Sequence, residues 1–213
     1  MIHMRTRILK KNSLRNRRFI LITMVSFLGF AFSGTVFALS RVEAKRIINK
    51  VVDDINMVIA SAKNKRQMMA EFESIFDSYA DVSRIAKAAL GREARNFSQT
   101  QLTNFTKVFK SYIAKKYGSR FREFIGGRID VISSRKVKRI FEVKTTVALK
   151  NQEDFEVIFL VWDRSGRPLF FDIVIEGISM VMTERTEIGS MLELHRYDIE
   201  KLIADLKIRA SSV

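Results

Sequence analysis

The chain has 213 residues and a formal net charge of +15, with 38 Lys and Arg against 23 Asp and Glu. This length suits one well-packed domain with an appendage, and the hydrophobic content of 47% with a single proline argues against long linkers and low-complexity segments. The absence of cysteine excludes disulfide bonds, Cys-ligated metals, thiol nucleophiles and lipid attachment at an N-terminal cysteine, and two histidines are too few for a His-rich metal site.

The first 38 residues have the three parts of an export signal. They contain basic residues and no acid up to Arg18, then an apolar run from Phe19 to Phe32, then Val36-Phe-Ala38, which resembles a cleavage site. We predict a cleaved signal peptide over 1–38 and one domain over 39–213, outside the cytoplasm. The alternative is an uncleaved anchor, because 19–39 is just long enough to span a bilayer at about 20 residues.

The positive charge is concentrated in this leader. Seven basic residues lie within 1–38, so the rest of the chain carries a net charge of +8 with both signs interspersed. That distribution favours an acidic partner or an anionic membrane surface, and it argues against a nucleic-acid groove.

Three helices are predicted next. Apolar residues recur at three- and four-residue steps over 41–60 and 64–79, which is typical of one face of an amphipathic helix. A third, shorter helix follows Asp81 as N-cap and ends at Gly91, which can take a left-handed conformation.

A long aromatic helix is predicted from Ser98 to the glycines at 126 and 127. Ser98 and Gln101 form a capping box, and Phe97 with Leu102 form a hydrophobic staple. The apolar stripe of this helix comprises Leu102, Phe105, Val108, Phe109, Tyr112, Ile113, Tyr117, Phe121 and Phe124.

The hydrophobic period then changes to that of strands, over 129–133, 137–149 and 154–163. Two nearly continuous apolar runs, 157–162 and 169–175, flank a Gly-containing turn. They predict a β-hairpin with both faces covered, because a half-exposed strand would alternate apolar and polar residues.

A charged tail, 183–187, follows this hairpin, and a closing helix is predicted over 198–208 with Asp198 as N-cap. Helices gathered before four mostly antiparallel strands indicate an α+β fold, in which N-terminal helices pack on a curved four-stranded sheet.

Candidate chemistry is sparse. The sequence lacks a nucleophile elbow, a phosphate-binding glycine loop and the common zinc and calcium motifs, so we predict neither a metal site nor a cofactor. Asp172 and Glu176 are four residues apart in an extended segment, where two carboxylates on one face could act as acid and base. The structural alternative is that they accept backbone N–H bonds or pair with cations such as Arg185. We predict no catalytic residues, with a hydrolase using this pair as an alternative function.

The apolar strands and the aromatic helix together suit a protein that binds an apolar ligand. A large, fully packed core would give the same sequence pattern, so periodicity leaves both interpretations open.

Two motifs resemble the MlaC family, also called the toluene-tolerance or ABC-transporter auxiliary family. One is Asp81-Val-Ser-Arg-Ile-Ala-Lys-Ala-Ala-Leu-Gly91, and the other is Asp172-Ile-Val-Ile-Glu-Gly-Ile-Ser179, followed by Arg185. The aromatic helix between them also fits, and the similarity covers roughly 41–206.

The resemblance implies a monomeric periplasmic carrier of Gram-negative bacteria with phospholipid as its bound ligand. Such a carrier exchanges lipid with an outer-membrane lipoprotein complex and an inner-membrane ABC transporter that has an MCE-domain subunit, and so maintains outer-membrane asymmetry. A membrane-anchored transporter adaptor is the alternative.

On this reading, helices cover one face of the sheet and acyl chains occupy the other. We predict Asp172, Glu176, Gly177, Ser179 and Arg185 as a structural motif that anchors the strand end. The predicted lipid-binding residues are Tyr112, Tyr117, Phe121, Phe141, Val143, Val147, Phe159, Val161, Ile173 and Ile175.

Overall fold

A computed structural model describes residues 39–61, 63–150 and 152–211, without the side chains of residues 121 and 122. The predicted signal peptide, 1–38, and all but the last residue of the alternative anchor lie outside the described residues. Within the described part of the chain, no helix combines the length and apolar character needed to cross a membrane.

Over the described residues the fold is α+β, with six α-helices and one antiparallel sheet, which confirms the predicted class. The helices are α1 (Arg41–Ala60), α2 (Lys65–Tyr79), α3 (Val82–Leu90), α4 (Gln99–Gly118), α5 (Met180–Leu194) and α6 (Ile199–Ser211). The strands are β1 (Arg128–Val137), β2 (Ile140–Ala148), β3 (Phe155–Trp162), β4 (Leu169–Ile175) and β5 (Ile178–Ser179). Single 3₁₀ segments cover Gly91–Asn96 and Phe121–Phe124.

Local side-chain hydrogen bonds explain where the helices begin. The predicted capping box is present at α4, where the Ser98 hydroxyl accepts from the Gln101 backbone N–H at 3.3 Å and the Gln101 side-chain Oε1 accepts from the Ser98 backbone N–H at 2.9 Å. Asn64 and Gln67 form the same arrangement at α2. Asp81 caps α3, as predicted, by accepting from the Arg84 N–H.

Two of the predicted boundaries differ in the structure. The long helix α4 ends at Gly118, and Phe121–Phe124 form a separate 3₁₀ segment, whereas one helix was predicted up to the glycines at 126 and 127. Residues 183–187 are part of helix α5 and do not form a charged tail.

The sheet order is β1-β2-β3-β4-β5, so each strand pairs with its neighbour in sequence. The strand pairing of the predicted hairpin is confirmed: Phe159 pairs with Ile173, and Val157 pairs with Ile175. The prediction that both of its faces are covered is met in part, because Ile158, Leu160 and Val174 on the outer face are only half-buried. The predicted number of four strands is wrong by one, because the two-residue β5 pairs with the end of β4.

The two faces of the sheet have different environments. On the inner face, the aligned positions of β2 and β3, such as Val143 and Phe159, are buried in the core, and α1 packs against this face. The outer face carries an ion pair between Lys144 and Glu156 and one between Arg135 and Glu142. Polar cross-strand pairs of this kind indicate that the outer face is in contact with solvent.

Candidate functional site

A cavity of about 300 Å³ lies between the inner face of the sheet and the helices, a size at the lower end of small-molecule sites. Helices and cavity therefore share one face of the sheet, which differs from the prediction that they lie on opposite faces. The apolar lining consists of Val51, Ile55, Phe72, Ile75, Phe76, Tyr117, Phe124, Ile129, Val147, Leu149, Phe155, Val157, Phe159, Phe170, Ile173, Ile175 and Met180.

Ring contacts hold much of the cavity wall in place. The ring centroid of Phe170 in β4 lies 5.5 Å from that of Phe159, in an edge-to-face arrangement, and 6.1 Å from that of Phe76 in α2. Phe124 and Phe155 make a second edge-to-face pair at 6.5 Å. Such pairs are each worth about 0.5–1.5 kcal/mol beyond the area they bury, so they favour a fixed wall around the open space.

Polar side chains mark one end of the cavity. Arg120, Glu123 and Gln152 line it and are exposed, and Ile175 is 38% exposed at the adjacent end of β4. Thr145, the remaining polar lining residue, is buried and donates its hydroxyl to the Val157 carbonyl at 2.8 Å. The interior is thus apolar, and the Thr145 hydroxyl inside it already has a hydrogen-bond partner. The hydrogen-bonding groups available to a ligand lie at the mouth.

The structure brings together five of the ten predicted lipid-binding residues. The lining includes Tyr117, Val147, Phe159, Ile173 and Ile175.

Four other predicted residues lie outside the lining. Phe141, Val143 and Val161 are buried on the inner face of the sheet, nearer the opposite end of β2 and β3, where core side chains fill the space. Tyr112 is also buried, and its hydroxyl is bonded to Glu187 on α5. The side chain of Phe121 lies outside the described residues.

The part of the cavity wall that α1 and α2 contribute was not predicted from the sequence. Val51 and Ile55 of α1, and Phe72 and Ile75 of α2, lie on the amphipathic stripes from which these helices are predicted, but none of them is among the predicted lipid-binding residues. The stripes gave the correct face, but the period of a helix does not distinguish a packed contact from one that borders open space.

Asp172 is an internal anchor of the β4–α5 junction. Its buried carboxylate accepts from the N–H groups of Ile173 at 2.8 Å and Val181 at 3.0 Å, and from the Ser179 hydroxyl at 2.5 Å. Ser179 is also the N-cap of α5, since its hydroxyl accepts from the Met182 N–H.

The other members of this motif behave differently. Glu176 leaves the strand with φ of 48° and is exposed, and Gly177 follows with φ of 82°, so the two form the turn. The suggested pairing of Glu176 with Arg185 is wrong, because no ion pair joins them among the described residues and the Arg185 side chain lies against Gly91. The two carboxylates of the motif thus have separate environments.

A second polar cluster joins α4 to α5 beside the cavity. Lys116 bonds to Glu184 at 2.7 Å and to Glu187 at 2.5 Å, and the Tyr117 hydroxyl donates to Glu184 at 2.7 Å. Glu184 is fully buried, and both bonds end on its Oε1, which partly offsets the cost of burying a carboxylate. Its Oε2 is buried without a hydrogen-bond partner among the described residues. Tyr117, part of the cavity wall, is in this way fixed to α5.

The protonation equilibria of this cluster follow from burial and from the ion pairs. Burial raises the pKa of Tyr117, and its hydrogen bond to Glu184 raises it further. Burial lowers the pKa of Lys116, but hydrogen bonds to Glu184 and Glu187 outweigh that effect and leave it above its usual value. Burial raises the pKa of Glu187, but the hydrogen bonds that it accepts from Lys116 and Tyr112 outweigh this effect and leave its pKa below the usual value.

Within the described residues, no group of three or more His, Asp or Glu side chains is placed to hold a metal ion.

Comparisons with known proteins agree with this fold. The family model described as MlaC protein matches residues 45–208. A solved structure of the phospholipid-binding protein from Ralstonia solanacearum, in complex with a phospholipid, superimposes with a TM-score of 0.68 at 19% sequence identity. The match covers 79% of this chain and 97% of that one. A search of curated proteins found no match.

Proposed function

The chain belongs to the MlaC family, and on that premise we propose that it is a phospholipid carrier whose cavity holds acyl chains. The observation that carries the proposal is the apolar cavity, with its aromatic wall and its polar groups confined to the mouth. A lipid tail needs shielding from water and no specific polar partner, and this lining offers that environment. The Ralstonia protein, which was solved with a phospholipid, supports the same assignment.

The energetics suit a carrier that requires help to unload. Each buried methylene contributes about 0.8 kcal/mol, so a tail with about ten methylenes inside gains about 8 kcal/mol, which corresponds to micromolar affinity. A second tail, or a longer buried part, would slow release further. We therefore propose that unloading depends on a partner that reduces the burial of the tail.

The headgroup lies at the mouth in this proposal. The Arg120 guanidinium and the Gln152 amide are exposed donors suited to phosphate oxygens, and Glu123 is the acidic member of the rim. A catalytic role is no part of the proposal, because both Asp172 oxygens already accept hydrogen bonds from the β4–α5 junction.

In the cell, we propose that the protein works in the periplasm, exported by the signal peptide over 1–38. It would exchange phospholipid with an outer-membrane lipoprotein complex and with an inner-membrane ABC transporter that has an MCE-domain subunit. The net result would be maintenance of outer-membrane lipid asymmetry.

Mass spectrometry of protein purified from a Gram-negative host tests the central claim. We expect co-purified phospholipid and an intact mass that places the N-terminus at Leu39. Retention of 1–38 would contradict the signal-peptide prediction and favour the anchored adaptor.

A pair of tryptophan variants tests where the lipid lies. Ile173→Trp adds bulk to the cavity wall, whereas Ile158→Trp adds the same bulk one strand away on the outer face. We expect the first variant to lose most of its co-purified lipid and the second to retain it. Equal lipid content in folded preparations of both would refute the cavity as the binding site.

A further inference from the structure

A second concave surface lies apart from the apolar cavity, between α3 with its following 3₁₀ segment and the start of α5. We call it the basic groove. It has a volume of about 420 Å³, and its charged lining residues are all cations, with no acid among them. These residues are Arg84, Lys87, Arg92, Arg95 and Arg185.

The cations of the groove have no anionic partner within the described residues. The described residues show no hydrogen bond or ion pair from these five side chains, and Arg84 makes a cation–π contact, with its guanidinium carbon 5.3 Å from the centroid of the Trp162 ring. Elsewhere in the described chain, lysines such as Lys63 and Lys110 are paired with carboxylates.

Nearby acids are committed to other groups. The Asp81 carboxylate accepts from the Trp162 ring N–H and the Ser165 hydroxyl, and Glu93 accepts from the Asn96 amide. Glu184, next to Arg185 in sequence, is directed to the Lys116 side. Several like charges around one concavity repel each other, so binding an anion there lowers the free energy of the protein.

The two walls of the groove approach each other at Gly91. A β-carbon built at this residue would lie 3.0 Å from the Arg185 Nε, so the guanidinium of α5 lies directly over the backbone that follows α3. Gly91 has φ of 63°, a conformation that favours glycine. Cationic groups on both walls can therefore reach one ligand that enters between them.

From these contacts we infer that the basic groove is a docking site for an acidic segment of a protein partner. A bilayer presents its phosphates in a plane, which can meet only the rims of a concave surface. A projecting segment can place carboxylates between the walls, where guanidinium groups bind them in a bidentate manner.

Apolar side chains beside the groove add a second element of recognition. Val181 and Met182 of α5 line the groove, and Met182 is 55% exposed. Met180, one residue before Val181, lines the apolar cavity instead. The partner segment expected here carries apolar residues among its acids, and its contact surface adjoins the residue that borders the cavity.

A peptide-binding measurement with charge-matched variants tests this inference. The probe is a fluorescein-labelled peptide rich in Asp and Glu with interspersed leucines, titrated by anisotropy at physiological ionic strength. One variant carries R92E, R95E and R185E. The control variant makes the same change in net charge at exposed cations elsewhere in the fold, namely Lys107→Glu, Arg139→Glu and Lys207→Glu.

We expect the groove variant to weaken peptide binding about tenfold or more, since each arginine–carboxylate contact changes affinity severalfold. The control variant should weaken it far less, and both should retain co-purified lipid. Equal losses in the two variants, or no binding of the peptide to the unmodified chain, would overturn the inference.

Vesicles of mixed phosphatidylcholine and phosphatidylglycerol provide the competing test. If the unmodified protein binds these vesicles through the groove arginines and the peptide does not compete, the surface is a membrane site and the inference is wrong. Lipid retention is measured separately, so a failure here is distinguishable from a failure of the carrier proposal.

Discussion

Removal of the Asp172 carboxylate is expected to destabilise the protein through the β4–α5 junction. Asp172→Ala leaves the N–H groups of Ile173 and Val181 without their acceptor in a largely buried site. An unsatisfied buried donor costs about 1–3 kcal/mol, so the expected loss in the free energy of unfolding is about 3 kcal/mol. Asp172→Asn keeps one acceptor oxygen and should cost about half as much.

Urea and thermal unfolding followed by circular dichroism measure these losses. For a chain of this size, each kcal/mol lowers Tm by about 2–4 °C, so Asp172→Ala should lower it by about 6–12 °C. Glu176→Gln is the matched control, because Glu176 is exposed in the adjoining turn and its substitution should change stability by less than about 0.5 kcal/mol.

An unchanged unfolding midpoint in Asp172→Asn, or an equal shift in Glu176→Gln, would refute the anchoring role of Asp172. The same variants address the alternative function. A hydrolase would lose turnover in both folded carboxylate variants, whereas a structural anchor would lose stability in the Asp172 variants alone.

Three further perturbations follow from the described contacts. The pKa of Glu187 is lower in the folded than in the unfolded protein, so its carboxylate adds stability above the unfolded pKa, and this stability is lost as pH falls through the folded pKa. The difference in Tm between the unmodified protein and Glu187→Gln should therefore shrink below about pH 4.5. A difference that stays constant down to about pH 3 would contradict this. Gly91→Ala should cost about 1–3 kcal/mol because of its positive φ, while Gly189→Ala, with open space around its β-carbon position, should not destabilise the protein in the same urea titration. Tyr117→Phe removes a donor to the buried Glu184 and should cost about 1–3 kcal/mol without reducing lipid content; lipid loss with unchanged stability would instead give the hydroxyl a direct role in binding.

Much of the architecture was predictable because its signals are local. The Ser98 capping box and the N-cap at Asp81 each depend on residues within four positions, and the apolar runs of the hairpin gave β3 and β4. The position of α5 was not predictable by the same means. Its buried face includes Glu184, which interrupts the apolar period, and that carboxylate is paired with Lys116 from a distant part of the chain.

The cavity was predictable only in part, for a different physical reason. The two-residue period of a strand puts Phe159 and Val161 on the same face of β3, and both lie on the inner face of the sheet. One borders open space and the other is in the packed core, because filling depends on the bulk that the helices bring to each end of the sheet. A sequence period specifies a face, whereas a cavity is a local shortage of side-chain volume that arises only in the assembled fold.

Helix α5 connects features that otherwise lie in separate parts of the protein. Met180 borders the cavity, Glu184 is bonded to the cavity residue Tyr117, and Arg185 forms one wall of the basic groove. Asp172 and Ser179 fix the first turn of this helix, so they set the positions of all three side chains at once. A displacement of α5 by a docked segment would therefore alter the cavity wall, which gives a physical route from partner binding to lipid release. On this argument, Asp172→Asn should weaken both lipid retention and acidic-peptide binding, whereas R92E with R95E, which lie off α5, should weaken peptide binding alone.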